Sequence, residues 1–546
     1  MRKLLQTALL SLTATLAGTA LTPEAAEAAS PLECAPSYEV DALRLLRQTS
    51  LDLLGRPPTY EELDAARNAP DRHAAVEQMT AEMLESEEYL ATVRAQHRAL
   101  VWGKLDASIT RLISQSKRLA KVPNVPGTIW SSSQNSVRQR YRGRSDLRCV
   151  DQQQTEFDQD GRPLPINVFS DPSCKNGNTC KQEGWVWVEP YWAPGEQVKV
   201  CAYDAQAFEL SPLNGKVCSD KNDAGCGCGP NLRWCTTSAT QASIRESLAD
   251  EAGRIFEWVI GERQSYLEAF RTDTTVMNGP VAHFYRHMNI EATAEAGRIA
   301  FEADMGEVPD IPYTAQTWTP VTRGESHAGA FTTAGFMMRF ASLRGRANRF
   351  YTAFYCDPFV PSADGLPAEE EAPSPNLRER EGCAGCHEVL EPAAAHFARW
   401  RTASAHGYLG PDLLELEGET ADCLCGEGTG KECSGFCNKY FVTADNSDLE
   451  TYAEFGGQPL SSAYASPLEL QNAEDGPAAL VDEPAEQYAV AQCAVRTMAE
   501  RLLHRQLEAT ELDWLDTHTE RFVSSGYDYT KMVSNLIADE RYRQTR

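Results

Sequence analysis

Two cysteines and a histidine lie close together in the second half of the chain. Cys383, Cys386 and His387 form the pattern C-x-x-C-H, with two residues between the thiols and an imidazole directly after them. In a helix this spacing puts both thiols within one turn, where each can add to a vinyl group of haem while the imidazole ligates the iron. The pattern predicts one covalent haem c, with Cys383 and Cys386 as thioether attachment points and His387 as proximal iron ligand.

Two other interpretations of the pattern remain open. The thiols could be joined in an ordinary disulfide, or they could form half of a zinc site beside an unrelated histidine. A structural zinc site needs a second C-x-x-C or histidine pair, and none in the chain is spaced correctly. Haem attachment is therefore the leading hypothesis.

The sixth iron ligand would decide between electron transfer and ligand chemistry, and the sequence leaves it open. His406 precedes Gly407 in an expected loop and is the first candidate. We expect Met498 to be a core residue, because it shares a helical face with apolar neighbours. The other candidates are His327, Met337, Met338 and His396.

Two arginines precede the motif and could bind the haem propionates. Arg378 and Arg380 alternate with Glu379 and Glu381. A guanidinium matches the geometry of a carboxylate, so either arginine suits that role. The same alternation is also typical of a solvated helix start.

The N-terminus predicts export, which covalent haem attachment requires. Arg2 and Lys3 precede an apolar run over residues 4–21, and small residues follow before Ala29. This is the pattern of a signal peptide over residues 1–28 and predicts a periplasmic, secreted or cell-surface protein. No later stretch reaches the roughly 18 apolar residues that span a bilayer, so we expect no integral membrane protein.

Cysteine content and charge limit the classes of partner. Eight of the 17 cysteines fall between Cys149 and Cys235 and four between Cys423 and Cys437, which favours disulfides in an oxidising compartment. Eight cysteines allow about a hundred pairing schemes, so no connectivity is predicted. The net charge of −27 argues against nucleic acid as a partner.

The remaining patterns predict a mainly α, multidomain helical assembly with a cysteine-rich insert of irregular and short β structure and a cytochrome-c-like haem segment. Helical spacing is expected over residues 41–54, 74–105, 243–270 and 334–355, and from Pro484 onward, and Thr59 with Glu62 predicts a capping box. The predicted regions are an N-terminal helical domain (29–123), the disulfide-rich insert (124–238), a helical domain (239–318), the haem segment with a Cys-rich loop (319–480) and a C-terminal helical domain (481–546).

The order of five segments resembles the planctomycete-type cytochrome-c-associated multidomain proteins, which combine domains of unknown function with a C-x-x-C-H segment. The matching stretches are 45–63, with the run LDLLGRPPT; 255–285; 327–356, with Arg344-Gly345-Arg346 and Cys356; 383–392; and 493–542, which ends in IADERY. The insert has no counterpart in that pattern, and the sequence after Pro392 departs from it. The resemblance implies an extracytoplasmic haem protein and supplies no substrate.

Three functions compete at this point. The first is a monohaem electron-transfer protein with an unknown redox partner. The second is a disulfide-stabilised binding or scaffold protein at a surface or on polysaccharide, in which Trp185, Trp187, Trp192 and Trp234 would suit sugar stacking. The third is a haem enzyme, an oxidoreductase with an open sixth coordination site.

Overall fold

The computed structural model describes residues 40–105, 118–121, 128–132, 141–144, 146–215, 218, 225–288, 308–360, 377–378, 382–400, 423–435, 437–458 and 466–544. The predicted signal peptide, Arg380 and His406 lie outside these residues. Helix accounts for about half of these described residues, which agrees with the predicted mainly α fold. The predicted domain boundaries stay predictions.

Residues 40–105 are helical, as the sequence patterns predict, and contain α1 (Ala42–Leu54), α2 (Tyr60–Asn68), α3 (Arg72–Leu84) and α4 (Glu87–Leu100). Gly55 ends α1 in the left-handed region at φ 69°, and Thr59 and Glu62 form the expected capping box of α2. The run predicted over 74–105 is broken, because the Ser86 hydroxyl accepts a hydrogen bond from the Tyr89 N–H and starts a new helix.

The insert contains short strands, as predicted: β1 (Leu119–Lys121), β2 (Ile129–Ser132), β3 (Asn167–Ser170), β4 (Thr179–Gln182), β5 (Trp185–Val188) and β6 (Val198–Cys201). A four-stranded sheet has the order β1-β2-β6-β5, in which β2 and β6 are parallel and the other pairs are antiparallel. β3 and β4 form a separate antiparallel pair. The insert buries a fully desolvated ion network in which Arg142 contacts both Glu183 and Asp204.

The middle of the chain returns to helix. Its elements are α5 (Ser238–Gly261), α6 (Glu268–Arg271), β7 (Thr274–Met277), α7 (Gly279–His283), β8 (Thr319–Thr322), α8 (Ala334–Arg339), α9 (Leu343–Phe350) and α10 (Ala384–Ala395). Phe284–Met288 and Tyr351–Tyr355 continue α7 and α9 as short π-helical turns. The helix predicted over 334–355 is divided, because Ser342 caps α9 through the Gly345 N–H.

The C-terminal part is helical as well. It contains α11 (Cys437–Tyr440), α12 (Leu449–Phe455), α13 (Pro467–Asp475), α14 (Pro484–Leu503), α15 (Leu512–Ser524), α16 (Tyr529–Ala538) and α17 (Glu540–Arg543). The first and last described segments meet here, since the Val40 N–H donates to the Arg543 carbonyl and the Tyr542 hydroxyl donates to Asp52. Asp52 and Tyr542 thus join α1 to α17.

One large core unites these helices. It includes Leu46 from α1, Phe256 from α5, Phe350 from α9, Phe397 just after α10 and Val495 from α14, all fully buried. The aromatic rings pack edge to face and in stacks, for example Phe270 against Phe331 and Phe354. The helix that carries the C-x-x-C-H motif is therefore anchored in the main core.

Seven disulfides cross-link the described part of the chain. They are Cys149–Cys201, Cys174–Cys180, Cys218–Cys226, Cys228–Cys235, Cys356–Cys493, Cys423–Cys437 and Cys425–Cys433. Such a density of disulfides is typical of proteins that fold in an oxidising, extracytoplasmic compartment. Within the described residues, no helix combines the length and the apolar composition needed to cross a membrane.

A buried carboxyl lies beneath the β7–β8 pair. Glu251 of α5 accepts hydrogen bonds from the Thr275 hydroxyl at 2.8 Å and from the Tyr285 hydroxyl at 2.8 and 2.9 Å. Burial raises the pKa of Glu251 to about 7, although Arg323 and the two hydroxyls oppose the rise. Folding therefore favours the protonated form of this carboxyl.

Removal of the Cys356–Cys493 disulfide should destabilise the protein more than removal of a local one. This bridge closes a loop of 137 residues, whereas Cys174–Cys180 closes one of 6. Loop-closure entropy predicts losses of about 5 and about 2 kcal/mol, respectively. Urea unfolding of the Cys356→Ser/Cys493→Ser and Cys174→Ser/Cys180→Ser variants measures both losses, and equal losses would contradict the expectation.

The free energy of unfolding should fall as pH rises because of the buried Glu251 carboxyl. The carboxyl ionises at about its ordinary pKa of 4.5 in the unfolded chain and at about 7 in the folded protein, so between these values the unfolded state binds fewer protons. We expect Glu251→Gln to remove this part of the decline in the free energy of unfolding. Glu246→Gln, an exposed position on the same helix, is the control and should keep the wild-type slope. A Glu251→Gln protein with the wild-type slope would show that the carboxyl ionises normally.

Candidate functional site

The face of α10 that enters the core also carries the motif. Leu390, Ala393 and Ala394 are buried, while Cys386 and His387, one turn earlier, are half-buried. These positions recur at three- and four-residue steps and so lie on one stripe of the helix. The core-facing stripe thus reaches the protein surface at the thiols and the imidazole.

Neighbouring helices fix α10 along its length. On one side, Arg344 of α9 donates to Glu391 at 2.7 Å. On the other, Asn472 of α13 donates to the Pro392 carbonyl at 3.0 Å, and the Arg399 guanidinium donates to the Ala473 carbonyl at 3.2 Å. The motif is therefore presented by a helix held between α9 and α13.

Cys383 and Cys386 differ from the other described cysteines. Fourteen of those are paired in disulfides, whereas Cys383 and Cys386 are free thiols and half-buried. Cys383 precedes the first residue of α10, and Cys386 lies in its first turn. A Cβ built on Gly385, between them, would meet no atom within 4 Å. Gly385 therefore has no close neighbour among the described residues.

His387 is oriented by a carboxylate one turn along α10. Its Nδ1 lies 2.5 Å from Oε1 of Glu391, and the two side chains are 17% and 20% exposed. With Glu391 as acceptor, Nδ1 carries the proton and Nε2 keeps its lone pair for a metal. The residues thus fit the haem group that the motif predicts.

The predicted propionate partner Arg378 contacts a carboxylate of the protein. Its guanidinium lies 2.5 Å from Glu469, at the start of α13. Burial raises the pKa of Glu469, Arg378 opposes the rise, and the charge of Glu391 adds to it. Glu469 and Glu391 therefore belong to one cluster of charges beside the motif.

The candidates for a sixth ligand are mostly committed to other roles. His396 donates from Nδ1 to the Gly476 carbonyl at 2.9 Å, and burial lowers the pKa of its ring. Met498 is a core residue, as expected, and Met337 and Met338 are buried in the helical region too. His327 is buried and contacts the Thr332 hydroxyl. The structure brings none of these five side chains to His387 through a described contact.

The tryptophans considered for sugar stacking differ in their exposure. Trp234 is buried, whereas Trp187 is half exposed beside Lys199, on the neighbouring strand. Across the part of the chain that the structure describes, no three His, Cys, Asp or Glu side chains are grouped to hold a metal ion. A haem iron takes only one or two ligands from the protein, so that finding does not bear on it.

Comparisons with known proteins supply no relative for this chain. No protein-family model, no curated protein and no solved structure matches it.

Sequence reasoning missed three members of the charge cluster: Arg344, Glu391 and Glu469. A signal for Glu391 was present, because a carboxylate four residues after a helical histidine lies on the same face. Arg344 and Glu469 are 47 and 78 residues from Glu391 along the sequence, and only the packing of α9 and α13 on α10 brings them to it.

Alkylation distinguishes free thiols at the motif from a disulfide. We expect native protein made without a haem-attachment system to be alkylated by iodoacetamide at Cys383 and Cys386 before any reductant is added. The disulfide-bonded cysteines should react only after reduction and unfolding, and they serve as the internal control. Peptide mapping by mass spectrometry reads both outcomes. A peptide with Cys383 linked to Cys386 would contradict the free-thiol assignment.

Proposed function

We propose that this chain is an extracytoplasmic monohaem c-type cytochrome-like protein that transfers electrons. The observation that carries the proposal is the pair of free thiols at the start of α10, directly followed by a histidine whose Nδ1 faces a carboxylate. A haem bound there would supply a one-electron iron couple. Cys383 and Cys386 would hold it covalently, and His387 would ligate the iron through Nε2.

The surrounding residues support this role in three ways. Leu390 and Phe397 anchor the helix in the core, so the imidazole would be held in one place. Glu391 fixes the tautomer and orientation of the ring. The seven disulfides are consistent with export to a compartment where haem c is attached, as the predicted signal peptide also indicates.

The binding or scaffold alternative depends on a Cys383–Cys386 disulfide. Free thiols at these positions favour the haem proposal, since the cysteines around them are paired. A haem enzyme would need distal acid-base groups, and no described contact assigns any to this site. The similarity to planctomycete-type cytochrome-c-associated proteins stays a hypothesis that rests on sequence patterns alone.

Co-expression with a c-type maturation system tests the proposal. We expect the intact mass of the mature protein to rise by the mass of one haem and its absorption spectrum to be that of a c-type cytochrome. Cys383→Ser and Cys386→Ser should each abolish double attachment, because each removes one thioether. His387→Ala should change the spectrum through loss of the axial ligand.

His396→Gln is the matched histidine control for this experiment. It lies on the same segment but contacts the Gly476 carbonyl, so we expect lower stability with an unchanged iron spectrum. A correctly exported wild-type protein without haem would refute the proposal. A spectrum that changes in His396→Gln as it does in His387→Ala would instead show that His396 reaches the iron.

A further inference from the structure

We propose that Glu391 and Arg344 form a positioning pair that sets the reduction potential of an iron bound at His387. This inference rests on the proposed function. Oε1 of Glu391 lies 2.5 Å from Nδ1 of His387 and 2.7 Å from Nε of Arg344. One carboxylate oxygen is thus shared between an imidazole and a guanidinium.

The contact between Glu391 and His387 favours the oxidised iron. An ionised carboxylate that accepts the Nδ1–H proton raises the electron density and basicity of the imidazole. The ferric state carries one more positive charge than the ferrous state and gains more from that density. Both side chains are at most one-fifth exposed, so solvent screens the contact only in part. Glu391 should therefore lower the midpoint potential.

Arg344 limits this effect through the same oxygen. Its guanidinium withdraws negative charge from Oε1, which weakens Glu391 as an acceptor for His387. Arg344 lies on α9 and is 52% exposed, whereas Glu391 lies on α10, so the strength of the acceptor depends on how these helices pack. Arg344 acts on the iron through Glu391.

Other charged side chains near His387 also act on the potential of the iron, so the experiment needs a control for them. Arg378 pairs with Glu469, which belongs to the same charge cluster as Glu391, so neither is a clean probe. Glu388 is exposed on α10, directly after His387. Glu388→Gln removes the same charge as Glu391→Gln, but at an exposed position one residue from His387, and is therefore the control for a general charge effect.

Potentiometric titration of the haem-loaded proteins tests the pair. Glu391→Gln keeps an acceptor oxygen but removes its charge, so we expect a positive shift of the midpoint potential. At a fixed ambient potential, this corresponds to a ferrous-to-ferric ratio raised on the order of tenfold. Arg344→Gln should shift the potential in the negative direction, because it strengthens the acceptor. Glu388→Gln should give a smaller shift than Glu391→Gln.

The double variant separates a route through Glu391 from a direct charge effect. If Arg344 acts through Glu391, Arg344→Gln should lose most of its shift in the Glu391→Gln background. Additive shifts, or a Glu391→Gln shift no larger than that of Glu388→Gln, would overturn the inference while the haem proposal stands. A wild-type protein that attaches no haem overturns both. Thermal unfolding of each variant identifies a purely structural role, which would lower stability without the opposite shifts in potential.

Discussion

Leu390, Ala393 and Ala394 bury one face of α10, and this anchorage determines where the reactive groups lie. A helix repeats every 3.6 residues, so a face buried at one end continues along the same side at the other. In α10 that side reaches solvent at Cys386 and His387. The core therefore fixes the orientation of the thiols and the imidazole without direct contact between the motif and most of the core.

Contacts between charged side chains also hold the motif in place. Arg344, Glu391 and His387 form a line of contacts from α9 to α10, and Arg378 with Glu469 adds a second ion pair from α13. Partly exposed pairs of this kind contribute little to stability. Their importance lies in the charge that they place near the imidazole. Oε1 of Glu391 contacts both His387 and Arg344, so the electron density of the ring depends on how α9 packs against α10.

Local structure was largely predictable from sequence because its causes are local. Asp41 and Thr59 cap helices whose first residues the sequence indicated. Gly55 ends α1 in the left-handed backbone conformation, which glycine adopts easily. The break at Ser86 was missed, because the apolar spacing continues through it and only the cap reveals it. Glu251 was also missed: it lies in a helix among apolar residues, and its hydroxyl partners come from distant segments.

Contacts between residues that lie far apart in the chain could not be predicted from the sequence. The C-x-x-C-H motif identified the reactive residues, but the pairing of eight insert cysteines has too many solutions for spacing to choose among them. The contacts of Arg344 and Glu469 depend on how three helices pack. The assignment of Met498 to the core succeeded, since its neighbours on the helix face are apolar.

The Cys356–Cys493 bridge has a consequence for biosynthesis. An exported chain emerges from its N-terminus, so Cys356 reaches the oxidising compartment before its partner, and six other cysteines pass in between. The first two of these, Cys383 and Cys386, are those that stay unpaired in the folded protein. If Cys356 first forms a disulfide with either of them, the Cys356–Cys493 bridge cannot form and the C-x-x-C-H motif loses one of its two free thiols. Efficient maturation therefore requires thiol exchange that corrects such premature pairs, or protection of the motif before Cys493 arrives.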